Sequence, residues 1–162
     1  FMPQILKDTQ VVSDNWILLD ETAESLPTGN VLLSYEQWQI FADQLSNHSG
    51  TLGVWLEGHA EIEQIIEPLI DLPLIAINFP KFADGRGFSS ARLIRERYNY
   101  SGELRAIGGF IRDQLYLLKR CGFNAFQFSD ENELSDAAES LKDFSENYQV
   151  SVDQENPLFR RR

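Results

Sequence analysis

Short apolar runs of strand length alternate with helical patterns along most of the chain. From Val31 onward, five runs rich in apolar residues predict strands over residues 31–34, 51–57, 74–79, 103–107 and 125–129. Between and after them, apolar residues recur at helical spacing and predict helices over residues 35–48, 61–69, 89–98, 110–121 and 131–147. The run "LIAINF" (74–79) is nearly all apolar, which is typical of a parallel strand that is covered on both faces.

This alternation predicts an α/β fold with a mainly parallel sheet of about five strands, because strand–helix–strand units are joined by right-handed crossovers. The opening segment "ILKDTQVVSDNWILLD" indicates two short strands around a polar turn, so we expect an N-terminal β-hairpin within residues 1–20. No repeat or long linker divides the sequence. We therefore expect a single domain over residues 1–162 that ends in a tail over residues 153–162. An open doubly wound sheet is the expected arrangement, and a partial barrel is the alternative.

Charge is distributed unevenly along the sequence. The net charge is −11, yet residues 81 to 120 contain nine basic and four acidic residues. So acidic a chain is not expected to bind nucleic acid, which requires a positive surface. No apolar stretch reaches the roughly 20 residues that a membrane span needs. The sequence shows no export signal and contains a single cysteine, Cys121, so a cytoplasmic location is expected.

The segment "PKFADGRGFSS" follows the predicted strand 74–79 and carries the residues that suggest binding of an anion. In α/β folds, ligands bind beyond the carboxyl ends of the strands. Paired glycines allow a ligand to approach the backbone, a serine can cap the next helix, and an arginine has a planar fork suited to an oxyanion. The next such turn, "RAIGGF", again has paired glycines. The predicted ligand-binding residues are Gly85, Arg86, Gly87, Ser89, Ser90, Arg92 and Arg105.

Other interpretations of these residues remain open. Arg92, Arg95 and Arg97 also fit a solvated helix face, on which charge runs are common. Asp84 fits either a catalytic base or a residue that caps its own loop. The arginines could instead stabilise the fold without binding a ligand. The binding hypothesis requires that Arg86, Arg92 and Arg105 converge in space. The other interpretations do not require it.

Motifs for metal and cofactor binding are missing from the sequence. The single cysteine excludes an iron–sulfur cluster held by this chain alone, and neither His48 nor His59 has partners at metal-ligand spacing. The glycines at 85 and 87 lack the third glycine of a dinucleotide-binding loop. We therefore expect neither a cofactor nor a metal ion.

Residues 79–128 resemble a bacterial family, domain of unknown function 934, whose members are often labelled probable oxidoreductases of sulfite reduction. The resemblance rests on the blocks "FPKFADGRGFSSARLIRER", "GELRAIG", "RDQL" and "RCGFNAF". It extends more loosely to "SDNWILLD", "LGVWLE" and "PLFRRR", and so to nearly the whole chain. Gly109 departs from the pattern, in which an acidic residue commonly follows Gly108.

The resemblance implies a place in sulfur assimilation, because genes of this family tend to lie beside those for sulfite reductase. The first hypothesis is an accessory protein that binds a small oxyanion, or sulfite reductase itself, through the arginine-rich region 84–112. The alternative is a small enzyme that acts on an anionic metabolite, with Asp84 as base and arginines as oxyanion clamps. A homodimer is compatible with either hypothesis.

Overall fold

The computed structural model describes residues 3–79, 86–108, 114–128 and 133–147, with side chains up to residue 142. The strands, in chain order, are β1 (Gln4–Lys7), β2 (Gln10–Ser13), β3 (Ile17–Leu18), β4 (Val31–Ser34), β5 (Leu52–Glu57), β6 (Leu74–Phe79), β7 (Glu103–Gly108) and β8 (Ala125–Phe126). The α-helices are α1 (Tyr35–Ile40), α2 (Ile62–Ile65), α3 (Arg86–Arg92), α4 (Leu115–Arg120) and α5 (Leu134–Asn147). Two 3₁₀ helices (Ala42–Asn47 and Glu67–Leu69) extend α1 and α2, and a π-helical segment (Leu93–Arg97) extends α3.

All eight described strands form one curled half-barrel sheet in the order β2-β1-β8-β7-β6-β5-β4-β3. The six strands from β3 to β8 are parallel and adjacent in chain order. The N-terminal hairpin of β1 and β2 pairs antiparallel with β8 and closes that side of the sheet. The mainly parallel α/β sheet and the hairpin are thus confirmed, but the expected count of about five parallel strands is wrong, because Ile17–Leu18 adds a sixth beside β4.

The expected open doubly wound sheet is wrong, and the partial barrel that was its alternative is confirmed. A doubly wound sheet requires the strand order to reverse at a switch point. Here every new parallel strand is added at the same side of its predecessor. Right-handed crossovers that all run in one direction place the connecting helices on one face, and the twisted sheet then curls.

The two faces of the sheet carry different cores. The helix face holds the main core, in which Ile75 and Ile77 of β6 and Leu104 of β7 pack with Ala91 and Ile94 of the α3 segment. The inner face, defined as the opposite side of the sheet, holds a smaller cluster of Leu32, Leu74, Ala76 and Ile107 under Trp16 and Trp55. Because side chains alternate along a strand, successive residues of β6 and β7 point to opposite faces of the sheet.

Several element boundaries differ from the predicted ones. The hairpin covers residues 4–13, and Ile17–Leu18 instead forms a strand parallel to β4. The helices predicted over 35–48 and 61–69 each change from α to 3₁₀ geometry, the second of them at Pro68. The strand over 103–107 is confirmed and extends to Gly108. The predicted tail (153–162) lies outside the described residues.

None of the helices in the described part of the chain is long and apolar enough to cross a membrane. Helix α5, the longest, is amphipathic and packs its apolar residues Leu134, Ala137 and Leu141 into the main core. Its role is therefore to cover the helix face beside the hairpin.

Candidate functional site

A pocket of about 230 Å³ lies where the carboxyl end of β5 meets the beginning of α3. One wall is the turn and the short helix that follow Glu57, and the other wall is α3. Three of the predicted ligand-binding residues line it. The residues around the pocket are Gly58, His59, Ala60, Glu61, Ile62, Glu63, Arg86, Ser89, Ser90 and Leu93. We call this the carboxyl-edge pocket.

Helix α3 is already formed at Arg86, and this corrects the roles predicted for its first residues. Ser89 and Ser90 lie inside the helix and do not cap it. Ser90 is buried, and its Oγ donates a hydrogen bond to the carbonyl of Gly58 at 3.2 Å, which holds the β5–α2 turn against the helix. Ser89 is exposed at the pocket.

Gly87 also has a role different from the predicted one. It does not have a positive φ, so it is not a turn glycine. A Cβ at this position would lie 2.5 Å from Cε2 of Phe79, whose ring packs between Phe88 and Phe123. The glycine therefore allows α3 to pack closely on the end of β6. On the other side, a Cβ on Gly58 would lie 3.3 Å from the backbone of Gly87, so the two pocket walls touch through glycines.

The charges around the pocket are of both signs. Arg86 is exposed, and so are His59, Glu61 and Glu63. Nη1 of Arg97 lies 3.3 Å from Oε2 of Glu63, which offsets one of the two carboxylates at the surface. Arg86 and Ser89 offer hydrogen-bond donors to an anion at this pocket, whereas the hydroxyl of Ser90 already donates to the carbonyl of Gly58.

Arg92 does not take part in the carboxyl-edge pocket. Its Nη2 lies 3.3 Å from Oε2 of Glu96, one helical turn further along, and both side chains are about half exposed. Arg92 is therefore a solvated residue on a helix face, as the alternative interpretation predicted.

Arg105 lies on the inner face of the sheet, away from Arg86 and Arg92. Its neighbours in β7, Leu104 and Ala106, belong to the main core on the helix face, so the side chain between them points to the other side. Arg105 is only 1% exposed. Arg86, Arg92 and Arg105 therefore do not converge in space.

The buried guanidinium of Arg105 instead holds together parts of the chain that are far apart in sequence. Its Nε and Nη2 lie 2.9 Å and 2.8 Å from Oε2 of Glu103. Its Nη1 donates to both carboxylate oxygens of Asp14 at 3.3 Å and to Oε1 of Gln127 at 3.2 Å. Lys7 of the hairpin approaches Oε1 of Glu103 at 3.2 Å. These five residues are called the Arg105 cluster below.

The Arg105 cluster borders a second cavity, of about 320 Å³, at the amino ends of the parallel strands. The two positive and two negative side chains of the cluster pair with one another. The cluster thus connects the hairpin, the segment before β3 and strand β7, and its geometry is that of a structural ion-pair network.

The side chain of Arg95 donates hydrogen bonds to backbone carbonyls of two connecting segments. Its Nε donates to the carbonyl of Gly122 at 2.8 Å, and its Nη1 donates to the carbonyls of Tyr100 and Gly102 at 2.8 and 2.9 Å. Burial lowers the pKa of this guanidinium and raises the pKa of the Tyr100 hydroxyl, which donates to the carbonyl of Leu72 at 2.7 Å. Arg95 therefore fixes the two connections that enter β7 and β8.

Two of the predicted site residues, Asp84 and Gly85, lie outside the described residues. The catalytic role proposed for Asp84 thus stays a prediction. In the described ranges, no group of three or more His, Cys, Asp or Glu side chains could hold a metal ion. Cys121 is buried at the end of α4.

Sequence reasoning missed His59 and Gly58, which complete the pocket. A signal for both was present, because "EGHAE" follows the predicted strand 51–57 in the same way that the Gly-Arg-Gly segment follows strand 74–79. The carboxyl ends of adjacent parallel strands meet at one edge of a sheet, so these two segments had to be neighbours if the strands were adjacent.

The family model for the bacterial proteins of unknown function DUF934 matches residues 53–159 of the chain. The match covers more than half of the sequence and includes β5 to α5, the Gly-Arg-Gly segment and Arg105. The chain therefore belongs to this family, as the sequence resemblance indicated. No curated protein and no solved structure matches the chain.

Proposed function

We propose that this protein is an accessory protein of sulfur assimilation that binds a small oxyanion, such as sulfite or sulfate, in the carboxyl-edge pocket. The observation that carries the proposal is that Arg86, Ser89, Ser90 and His59 surround one pocket of about 230 Å³. That volume suits a small ion better than a nucleotide. The link to sulfur rests on the family resemblance alone.

The pocket supports this proposal through the kinds of donor that it offers. A guanidinium forms charge-assisted hydrogen bonds with an oxyanion, and a hydroxyl adds a neutral donor that is tolerant of geometry. The carboxylates of Glu61 and Glu63 oppose the binding of any anion, and the ion pair of Glu63 with Arg97 offsets part of that repulsion.

The site proposed here is smaller than the arginine-rich region suggested by the sequence. Arg92 is paired with Glu96, and Arg105 is buried on the inner face. Arg86 is the one arginine among those three that lines the pocket. Binding should therefore depend on Arg86 and should be insensitive to Arg92.

Thermal unfolding in different anions tests the proposal, with Arg92→Gln as the matched control for Arg86→Gln. Both substitutions remove one exposed arginine from the same helical segment. Sulfite, sulfate, phosphate and chloride are compared at equal ionic strength. A ligand present at a hundredfold excess over Kd stabilises the folded state by about 2.7 kcal/mol, which raises Tm by roughly 5 to 10 °C for a chain of this size.

We expect a selective rise of Tm in sulfite or sulfate for wild type and for Arg92→Gln, and none for Arg86→Gln. Equal Tm values in all four salts would refute oxyanion binding. Sulfite reductase itself would then be the better candidate partner, and its association with the purified protein would be measured directly.

A further inference from the structure

A further cavity, of about 400 Å³, lies at the amino ends of β7 and β8. Its walls are the turn of the hairpin, the end of the α3 segment and the connection from α4 to β8. The lining residues are Asp8, Arg95, Glu96, Lys119 and the segment 121–124. None of them lines the carboxyl-edge pocket or the cavity beside the Arg105 cluster. We call this cavity the Arg95 pocket.

The guanidinium of Arg95 has two N–H groups without a protein acceptor. A guanidinium carries five N–H donors. The one on Nε donates to the carbonyl of Gly122, and the two on Nη1 donate to the carbonyls of Tyr100 and Gly102. No residue in the described part of the chain accepts from Nη2. Because Nε and Nη2 form one edge of the planar fork, the donors of Nη2 lie on the side of Gly122, a residue of the pocket wall.

The position of this guanidinium is fixed before any ligand arrives. Three backbone carbonyls hold it, and Gly122 packs against its stem. Gly122 has a φ of +116°, and a Cβ at this position would lie 2.5 Å from Cγ of Arg95. A donor that is already held in place loses little conformational freedom when it binds a ligand. The Nη2 donors of Arg95 are thus preorganised for an acceptor in the pocket.

Asp8 provides a carboxylate at the same pocket. Its amide donates to the carbonyl of Asn124 at 3.0 Å, which fixes the hairpin turn against the pocket wall. The Asp8 carboxylate makes no hydrogen bond or ion pair with the residues that the structure describes. Its charge nevertheless acts on Arg95, since burial lowers the pKa of that guanidinium whereas the charges of Tyr100 and Asp8 raise it. The two charged groups are therefore near each other without being in contact.

The charges that line the Arg95 pocket are of both signs. Arg95 and Lys119 are cationic, and Asp8 and Glu96 are anionic. Oε2 of Glu96 is already 3.3 Å from Nη2 of Arg92, outside the pocket. A simple anion would be repelled by Asp8, and a simple cation would be repelled by Arg95. A molecule that carries both a carboxylate and an ammonium group can place each charge beside its opposite.

The pocket also has an apolar side. Cys121 and Phe123 line it and belong to the main core of the helix face. An aliphatic group that packs on them removes apolar surface from water. The volume of about 400 Å³ lies in the range of pockets that bind small organic molecules. These features favour an organic ligand over an inorganic ion.

We propose that the Arg95 pocket binds a small zwitterion, namely an α-amino acid with an apolar side chain. The carboxylate of the ligand accepts hydrogen bonds from Nη2 of Arg95, and its ammonium group donates to the carboxylate of Asp8. The side chain of the ligand packs on Cys121 and Phe123. This site is separate from the proposed oxyanion site, because the two pockets lie at opposite ends of the parallel strands and share no residue.

The first test follows the amide NMR spectrum of the wild-type protein during titration with each of the standard L-amino acids. We expect leucine to shift the amides of Asp8, Gly122 and Asn124 and to leave those of Ser89 and Ser90 unchanged. Isocaproate, which lacks the ammonium group of leucine, and leucinamide, which lacks its carboxylate, test each charge separately. Each analogue should bind at least about tenfold more weakly than leucine, because it loses a charge-assisted hydrogen bond.

The second test assigns the ammonium contact to Asp8. Asparagine is favoured in a hairpin turn at a positive φ, which is 51° at Asp8, so Asp8→Asn should fold like wild type. In this variant leucine and isocaproate should bind with equal affinity. Asp43→Asn removes the same charge from an exposed position outside the pocket, and it should keep the preference for leucine. Leucinamide tests the carboxylate contact without an Arg95 variant, which would also lose three structural hydrogen bonds.

Four results would overturn the proposal. The absence of any shift with millimolar amino acids would leave the pocket without this ligand class. Isocaproate that binds wild type as tightly as leucine would make it a site for carboxylates alone. Equal effects of Asp8→Asn and Asp43→Asn would remove Asp8 from the site. Shifts confined to Ser89 and Ser90 would place the amino acid in the carboxyl-edge pocket.

Discussion

Arg105 and Arg86 come from the same basic part of the sequence but have opposite environments. Arg105 is buried on the inner face, and its donors are directed to Glu103, Asp14 and Gln127. Arg86 is exposed beside a pocket at the carboxyl edge of the sheet. The difference shows that arginine content alone does not define a binding site. A guanidinium that is buried among carboxylates contributes to stability, whereas an exposed one that lines a pocket can also contact a ligand.

Arg105→Met should have the largest effect on stability, because it leaves the buried carboxylate of Asp14 without a cation and leaves Glu103 with Lys7 alone. Removing one partner from a buried ion pair costs about 3 to 5 kcal/mol. Urea unfolding at pH 7 measures the loss, with Arg92→Met as the exposed control. If the loss in free energy of unfolding is no larger than that of Arg92→Met, the Arg105 cluster is not structural. A double-mutant cycle with Asp14→Asn should then show a coupling energy, since the two side chains are in contact.

Arg95→Met should cost somewhat less, about 2 to 3 kcal/mol, because three partly buried carbonyls lose a charged donor. Methionine keeps most of the apolar stem of the arginine, so the change reports mainly on the hydrogen bonds. Arg97→Met is the matched control, since Arg97 is exposed and contacts the exposed Glu63 and the ring of Tyr98. Urea unfolding distinguishes the two variants. If both variants lose the same free energy of unfolding, the hydrogen bonds of Arg95 to Gly122, Tyr100 and Gly102 do not stabilise the fold.

Gly87→Ala should have an intermediate effect and should act on the pocket as well as on stability. The added methyl group would overlap the ring of Phe79, which Phe88 and Phe123 hold in place. Overpacking of this kind costs about 1 to 3 kcal/mol. The control is Arg92→Ala, an exposed position in the same helix that does not line the pocket. A Gly87→Ala protein with wild-type Tm and wild-type response to anions would show that the close packing is dispensable.

Arg86→Gln should have the smallest effect on stability when no ligand is present, within about 0.5 kcal/mol, because the side chain is exposed. Its effect should appear only in the response to sulfite or sulfate. Chemical unfolding without added oxyanion gives the baseline. A loss similar to that of Arg105→Met would place Arg86 among the structural arginines and remove the contrast between the two regions.

The sequence predicted the local elements well, because apolar periodicity and strand length are local properties. The runs at 31–34 and 74–79 match β4 and β6, and the alternation of strands and helices required a mainly parallel sheet. Gly50 and Gly122 each follow a helical segment and have a positive φ, the backbone conformation that glycine favours after a helix. The family could also be identified from the dense motifs of residues 79–128.

Three-dimensional packing decided the rest. Strand order is set by which sheet edge each strand joins, and local periodicity does not encode that edge, so the half-barrel could not be distinguished from a doubly wound sheet. The side chain of Arg105 could be placed only once β7 had a helix face and an inner face. Its partner Asp14 is 91 positions away in sequence. The amino-acid sequence thus determines which side chains the protein has for chemistry. Long-range packing decided that Arg86 lines a pocket and that Arg105 is buried.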